Sequence, residues 1–134
     1  MWRIVNMKMI SFCNKKGGVG KTTLCKNVAY KLSLNGAKIL LIDLDPQATL
    51  TLNLVNNVYN KNKTIKSVLT ESELIKIVQL IQSTKYKNID IIVGGEQLNK
   101  VSAILNLNYS NEKDQHLIED TLYMENEKTF DGYD

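Results

Sequence analysis

Met7-Lys-Met-Ile-Ser-Phe-Cys13 leads straight into Asn14-Lys-Lys-Gly-Gly-Val-Gly20 and on to Lys21-Thr-Thr23. The first segment is short, mostly apolar and closed by Asn14, the pattern of a buried strand. The lysines and glycines that follow have almost nothing to pack, so they form a loop. From Thr22 the apolar residues Leu24, Val28, Ala29, Leu32 and Leu34 supply a helical stripe, which stops at Asn35-Gly36, a residue pair expected at a helix C-terminus. Next, Lys38-Ile-Leu-Leu-Ile-Asp43 is apolar on both faces, as a central parallel strand requires. Strand, helix and strand make a βαβ unit with a right-handed crossover. The fold class is therefore α/β, a parallel sheet with flanking helices.

The loop's residue types point to one chemistry. Glycines allow consecutive backbone N–H groups to converge on a phosphate without Cβ clashes, and the following helix N-terminus adds partial positive charge. The nucleotide-binding candidates are Gly17, Gly18, Val19, Gly20, Lys21, Thr22 and Thr23. Lys21 is placed to bridge β- and γ-phosphate oxygens, and the Thr22 hydroxyl to ligate Mg²⁺, so the implied cofactors are ATP and Mg²⁺. A position between strand and helix is the context such a loop needs. The ordinary pattern G-x-x-x-x-G-K-[ST] is not strictly met, since its first glycine would fall at Lys15.

Asp43 and Asp45 leave the C-terminal end of the second strand, the edge where ligands bind in open α/β sheets. Beyond Pro46 the signals weaken. Ala48 to Leu54 reads as a short helix, Thr64 to Leu69 as a helical turn, and Glu71 to Ile81 as a longer helix with a Thr70/Glu73 capping box. Ile89 to Val93 reads as a third buried strand before a Gly94-Gly95 turn. Gln97 to Leu107 and the acidic stretch 112–126 read as helices.

Length and charge set the outer bounds. A chain of 134 residues makes one domain with a modest core. No apolar run near the N-terminus is long enough for a signal peptide core or a membrane span, so no membrane partner is expected. Cys13, Cys25 and the lone His116 form neither a disulfide framework nor a zinc set, and a reduced cytoplasmic location is the default. Residues 1–111 hold 15 Lys/Arg and 6 Asp/Glu, whereas residues 112–134 hold 2 and 8. The basic side chains are scattered rather than clustered with aromatics, which is a poor signature for nucleic acid.

Asn14-x-Lys-Gly-Gly-Val-Gly-Lys-Thr-Thr23, followed by Ile39-Leu-Leu-Ile-Asp-Leu-Asp-Pro-Gln-Ala48, resembles the ParA/Soj branch of the deviant Walker A ATPases, the group that also includes MinD. The resemblance implies a P-loop NTPase-like fold and an ATP-dependent dimerisation switch for chromosome or plasmid partitioning. It matches the family's signature lysine to Lys16, which reaches a partner's nucleotide across a homodimer. It also implies that Asp45 positions the attacking water and that Asp43 joins the Mg²⁺ shell through water. Lys16 and Asp45 are thus the catalytic candidates, and Thr22, Asp43 and Asp45 the metal candidates. A ParB-type partner and non-specific DNA are implied by resemblance alone. The family continues into a Walker B strand and a C-terminal half, so the resemblance implies an N-terminal part of the domain over 7–134, with 1–6 as an extension. Two other readings stand beside this one: a non-hydrolysing fragment that keeps residual nucleotide binding or an interaction role, and another deviant Walker A ATPase of the MinD-like kind. Asp45-Pro-Gln47 favours ParA/Soj.

Overall fold

The structure is a computed structural model and describes residues 8–56, 59–66, 77–101 and 132–134. Its elements run α1 (Lys21–Leu34), β1 (Ile39–Ile42), α2 (Thr49–Leu54), a 3-10 turn at Ile77–Leu80, β2 (Gln82–Ser83), β3 (Ile89–Ile92) and a second 3-10 turn at Glu96–Lys100. β1 and β3 pair in parallel, with Ile39 opposite Ile89 and Ile42 opposite Ile92. β2 joins the other edge of β3 antiparallel, giving the order β1-β3-β2. This is the expected α/β architecture with a small parallel sheet.

Side chains alternate across the sheet, so β1 and β3 each feed two cores. On one face Leu41, Ile89, Ile91 and Val93 pack with Ala29 of α1 and with Leu50, Leu54 and Val55. On the other face Ile92 packs with Ile65, Ile77, Leu80, Leu98 and Val101, and Leu40 and Ile42 lean on the same cluster. Asp90 is the one charged residue in the β1–β3 ladder. Its carboxylate accepts the Tyr133 hydroxyl at 2.7 Å, and this ties the 132–134 segment to the sheet.

α1 corrects the expected stripe. Leu24, Leu32 and Leu34 are exposed, while Ala29 and Ser33 are buried and Cys25 packs against the core. The buried line is 25-29-33, spaced by four along one helix face. Small side chains on that line let the helix lie close to the sheet, and Ser33 satisfies its hydroxyl on the Tyr30 carbonyl at 2.8 Å.

Two other elements differ from expectation. Residues 8–13 form no strand, and Met9 and Ile10 are 53% and 62% exposed. A strand exists only through its ladder. Here Asp134 stands between the two extended segments: its N–H donates to the Lys38 carbonyl at 2.8 Å, and its own carbonyl accepts the Lys8 N–H at 3.0 Å. Residues 9–13 have no ladder partner among the described residues. The helix expected to run to Ile81 is a 3-10 turn from Ile77, because Gln82 and Ser83 are drawn into pairing with Ile91 and Asp90. The expectations for residues 1–6, 67–76, 102–107 and 112–126 fall wholly or almost wholly outside the described residues.

Candidate functional site

The Asn14–Gly20 loop is shaped by its own residue types. Asn14 Oδ1 accepts the Lys16 N–H at 2.8 Å, an Asx turn that bends the chain into the loop. Gly18 and Gly20 have φ of +71° and +87°, conformations that cost glycine little and other residues more. Gly20 is the N-cap of α1, and its carbonyl accepts the Leu24 N–H at 2.8 Å. A Cβ built on Gly17, Gly18 or Gly20 meets no atom within 4 Å, so the glycines border open space. Lys21 Nζ donates to the Lys16 carbonyl at 3.1 Å, folding the ammonium back over the loop. Lys16, Val19 and Thr23 are exposed, and Thr22 is half-buried in the first turn of α1. The first-turn N–H groups and the helix dipole point positive potential into the same space.

The two aspartates have opposite environments. Asp45 is exposed; its Oδ1 accepts the Gln47 N–H at 2.9 Å and its carbonyl accepts the Ala48 N–H at 2.9 Å. Asp43 is 3% exposed. Its Oδ1 accepts the Asp45 N–H at 3.1 Å, and its Oδ2 accepts both the Thr51 N–H at 2.9 Å and the Thr51 hydroxyl at 2.7 Å. A carboxylate offers about four acceptor positions, so three protein donors leave Asp43 little capacity for a metal's water shell. In this conformation Asp43 anchors α2.

The loop runs into the N-terminus of α1, and α1 packs against β1, the strand that the aspartates follow. Cys25, on the second turn of α1, has its thiol pKa raised, chiefly by burial and then by the negative charge of Asp43. Lys16 through Thr23 stand at the N-terminus of that helix, and Asp43 follows β1 directly. Sequence reasoning passed over Thr51 and the close-packing role of Gly94. A Cβ on Gly94 would lie 2.9 Å from the carbonyl oxygens of both Asp43 and Asp45. Neither residue sits in a motif; the Gly94-Gly95 pair was the available signal, legible as a turn but not as a contact.

A family model described as an AAA domain matches residues 7–132. A virulence plasmid ParA family protein of Chlamydia psittaci is 41% identical over 87 residues, which cover 64% of this chain and 32% of that protein. A plasmid partition protein from Borrelia burgdorferi superposes with a TM-score of 0.64 at 28% identity, over 84% of this chain and 47% of its own. Cobyrinic acid a,c-diamide synthase from Mycobacterium smegmatis, solved with an ATP analogue and magnesium, superposes with a TM-score of 0.70 at 24% identity, over 87% of this chain and 45% of its own. That last likeness is one of fold. The chain thus spans about a third of the length of the curated relative and under half of either solved chain. No helix among the described residues is long and apolar enough to cross a membrane.

Proposed function

The chain belongs to the AAA domain family, and from that premise we propose that it is a ParA-type P-loop ATPase that binds ATP with Mg²⁺ at the Lys16–Thr23 loop and acts as a nucleotide-dependent dimerisation switch in plasmid or chromosome partitioning. The observation that carries the reading is the exposed, unobstructed backbone of Gly17, Gly18 and Gly20 at the head of a helix of 14 residues. None of the described residues fills the space beside these glycines, and the donors around it suit phosphate oxygens. The backbone of Gly17 through Gly20 would hold the phosphates. Lys21 would leave the Lys16 carbonyl for the β- and γ-phosphates; its present bond is exposed and local, so the exchange costs little.

Mg²⁺, when bound, supplies neutralisation of phosphate charge. The Thr22 hydroxyl would ligate it, with Asp45 and Asp43 as candidates acting through water. Asp45 is the better placed, being exposed at the strand end, and it is our candidate for orienting the attacking water. Lys16 is exposed at the loop's start and is the candidate to reach the nucleotide of a second copy. A ParB-type partner and non-specific DNA complete the proposed partition role, which rests on family membership. In this reading residues 7–134 are the N-terminal part of the ATPase domain and residues 1–6 an extension.

Calorimetric titration with ATP and Mg²⁺ tests the reading. Lys21→Ala is expected to abolish binding, because it removes the side-chain cation placed for the β- and γ-phosphates. Affinity unchanged by that substitution overturns the assignment. Light scattering with and without ATP then reads the dimer.

A further inference from the structure

We propose that the Thr51 hydroxyl is a latch that holds the Asp43–Asp45 segment against the exit of β3 and thereby sets where Asp45 stands. Thr51 lies outside the loop and the Asp-x-Asp segment, yet it is fully buried. Its hydroxyl is used in both directions, donating to Asp43 Oδ2 at 2.7 Å and accepting the Gly94 N–H at 3.1 Å. Asp43 passes the connection on, since its other oxygen receives the Asp45 N–H at 3.1 Å. The bonds form one chain from the backbone after β3, through α2, to the backbone of Asp45.

Geometry shows that this junction is close and held. The Gly94 backbone approaches the Asp43 and Asp45 carbonyls so nearly that a methyl group there would stand 2.9 Å from each. Between Asp45 and α2 the chain turns through Ala48 at φ 51°, ψ 32°, the left-handed region that a residue with a Cβ avoids without support. The support comes from α2, anchored by the Thr51 N–H on Asp43 at 2.9 Å. A valine at 51 keeps the shape and the N–H but removes the one atom that joins Gly94 to Asp43. Thr51 is therefore a positioning residue: it acts on Asp45 through Asp43.

The meaning of the latch rests on the reading of Asp45 given above, but its existence is tested without nucleotide. Residue-resolved amide hydrogen exchange is measured on the full chain, on Thr51→Val and on Thr51→Ser. In Thr51→Val the Asp45 and Gly94 amides are expected to exchange about tenfold or more faster, because a buried bonded pair has lost one partner. The Leu41 and Ile91 amides in the β1–β3 ladder keep their protection, and Thr51→Ser restores that of Asp45 and Gly94. Three results overturn the proposal: unchanged exchange at Asp45 and Gly94 in Thr51→Val, serine behaving like valine, or loss of protection through β1 and β3 as well. ATP titration of the same proteins separates the two readings. A wild-type chain that binds no ATP ends the functional reading while the exchange result still decides the latch.

Discussion

Gly94→Ala places a single methyl group where the structure has the least room for one. The glycine's φ lies outside the left-handed region, so backbone strain is not the issue; proximity is. The new Cβ would stand 2.9 Å from the Asp43 carbonyl oxygen, 2.9 Å from that of Asp45 and 3.0 Å from Asp43 Cγ. Both oxygens belong to main chain, so no rotamer change relieves the contact and the exits of β1 and β3 must part by about half an ångström. Overpacking of this kind costs about 1–3 kcal/mol. Parting also stretches the Gly94 N–H bond to Thr51 Oγ1, already 3.1 Å long, and adds about 1 kcal/mol. The expected loss is about 2–4 kcal/mol, a large share of the 5–15 kcal/mol that holds a typical domain. Gly95→Ala is the matched control. Its Cβ would meet only Gln97 Oε1, at 2.8 Å, the far end of a flexible exposed side chain. That substitution is expected to stay within about 0.5 kcal/mol of wild type. Urea denaturation of the three proteins, compared at a common slope, reads the difference. Equal midpoints for Gly94→Ala and Gly95→Ala would refute the reasoning.

Tyr133→Phe removes the bond to Asp90 and is expected to cost about 1–2 kcal/mol at neutral pH. Burial, with the Asp90 carboxylate next in weight, holds the Tyr133 pKa well above its ordinary value, so the neutral phenol favours the folded state. Its contribution is whole below the ordinary tyrosine pKa of about 10 and falls as pH climbs from there toward the raised value, so the gap between wild type and Tyr133→Phe should be flat to that point and then narrow. A gap that varies across neutral pH would contradict the assignment. Cys25, half-buried with its pKa raised, should resist alkylation at pH 8 in the folded chain while exposed Cys13 reacts, and should react fully once denaturant is added. Equal labelling of both in the native protein, read by mass spectrometry, would show that the Cys25 face of α1 does not pack against the core.

Central pieces of the fold were legible because their signals are local. Ile39–Ile42 is an apolar run, and Ile89–Ile92 is apolar but for Asp90, the composition of a strand largely hidden on both faces. α1 stops at Asn35-Gly36, and Gly36 takes the positive φ, +91°, that such a stop uses. The buried face of α1 was legible only at Ala29, since large apolar residues dominate any count and here small residues at 25, 29 and 33 form the buried line. The pairing of Gln82 and Ser83 was hidden for a different reason: two polar residues in a short edge strand have no periodicity to read. At the site, the loop's glycines and lysine announced themselves by spacing. Thr51 did not, because its role depends on Gly94, which the chain brings to it from 43 residues away.

The two halves of the candidate site are held in different ways, and the difference suits a nucleotide-responsive protein. Buried polar side chains among the described residues are Ser33, Asp43, Thr51 and Thr64, and the last three gather at the exits of β1 and β3. Each polar atom buried there has a partner, so the carboxylate side of the site is fixed by the core before any ligand arrives. The loop from Asn14 to Gly20 is exposed throughout and is held by an Asx turn, the lysine's fold-back and the helix cap. Its shape is therefore open to revision by a phosphate that replaces the Lys16 carbonyl as the partner of Lys21. A ligand shifts a conformational equilibrium only through contacts that differ between the two states. In the proposed function those contacts belong to the loop, while Asp45 is tied through Asp43 and Thr51 to the backbone after β3. Under that proposal, movement of the loop against this backbone is what would carry the signal.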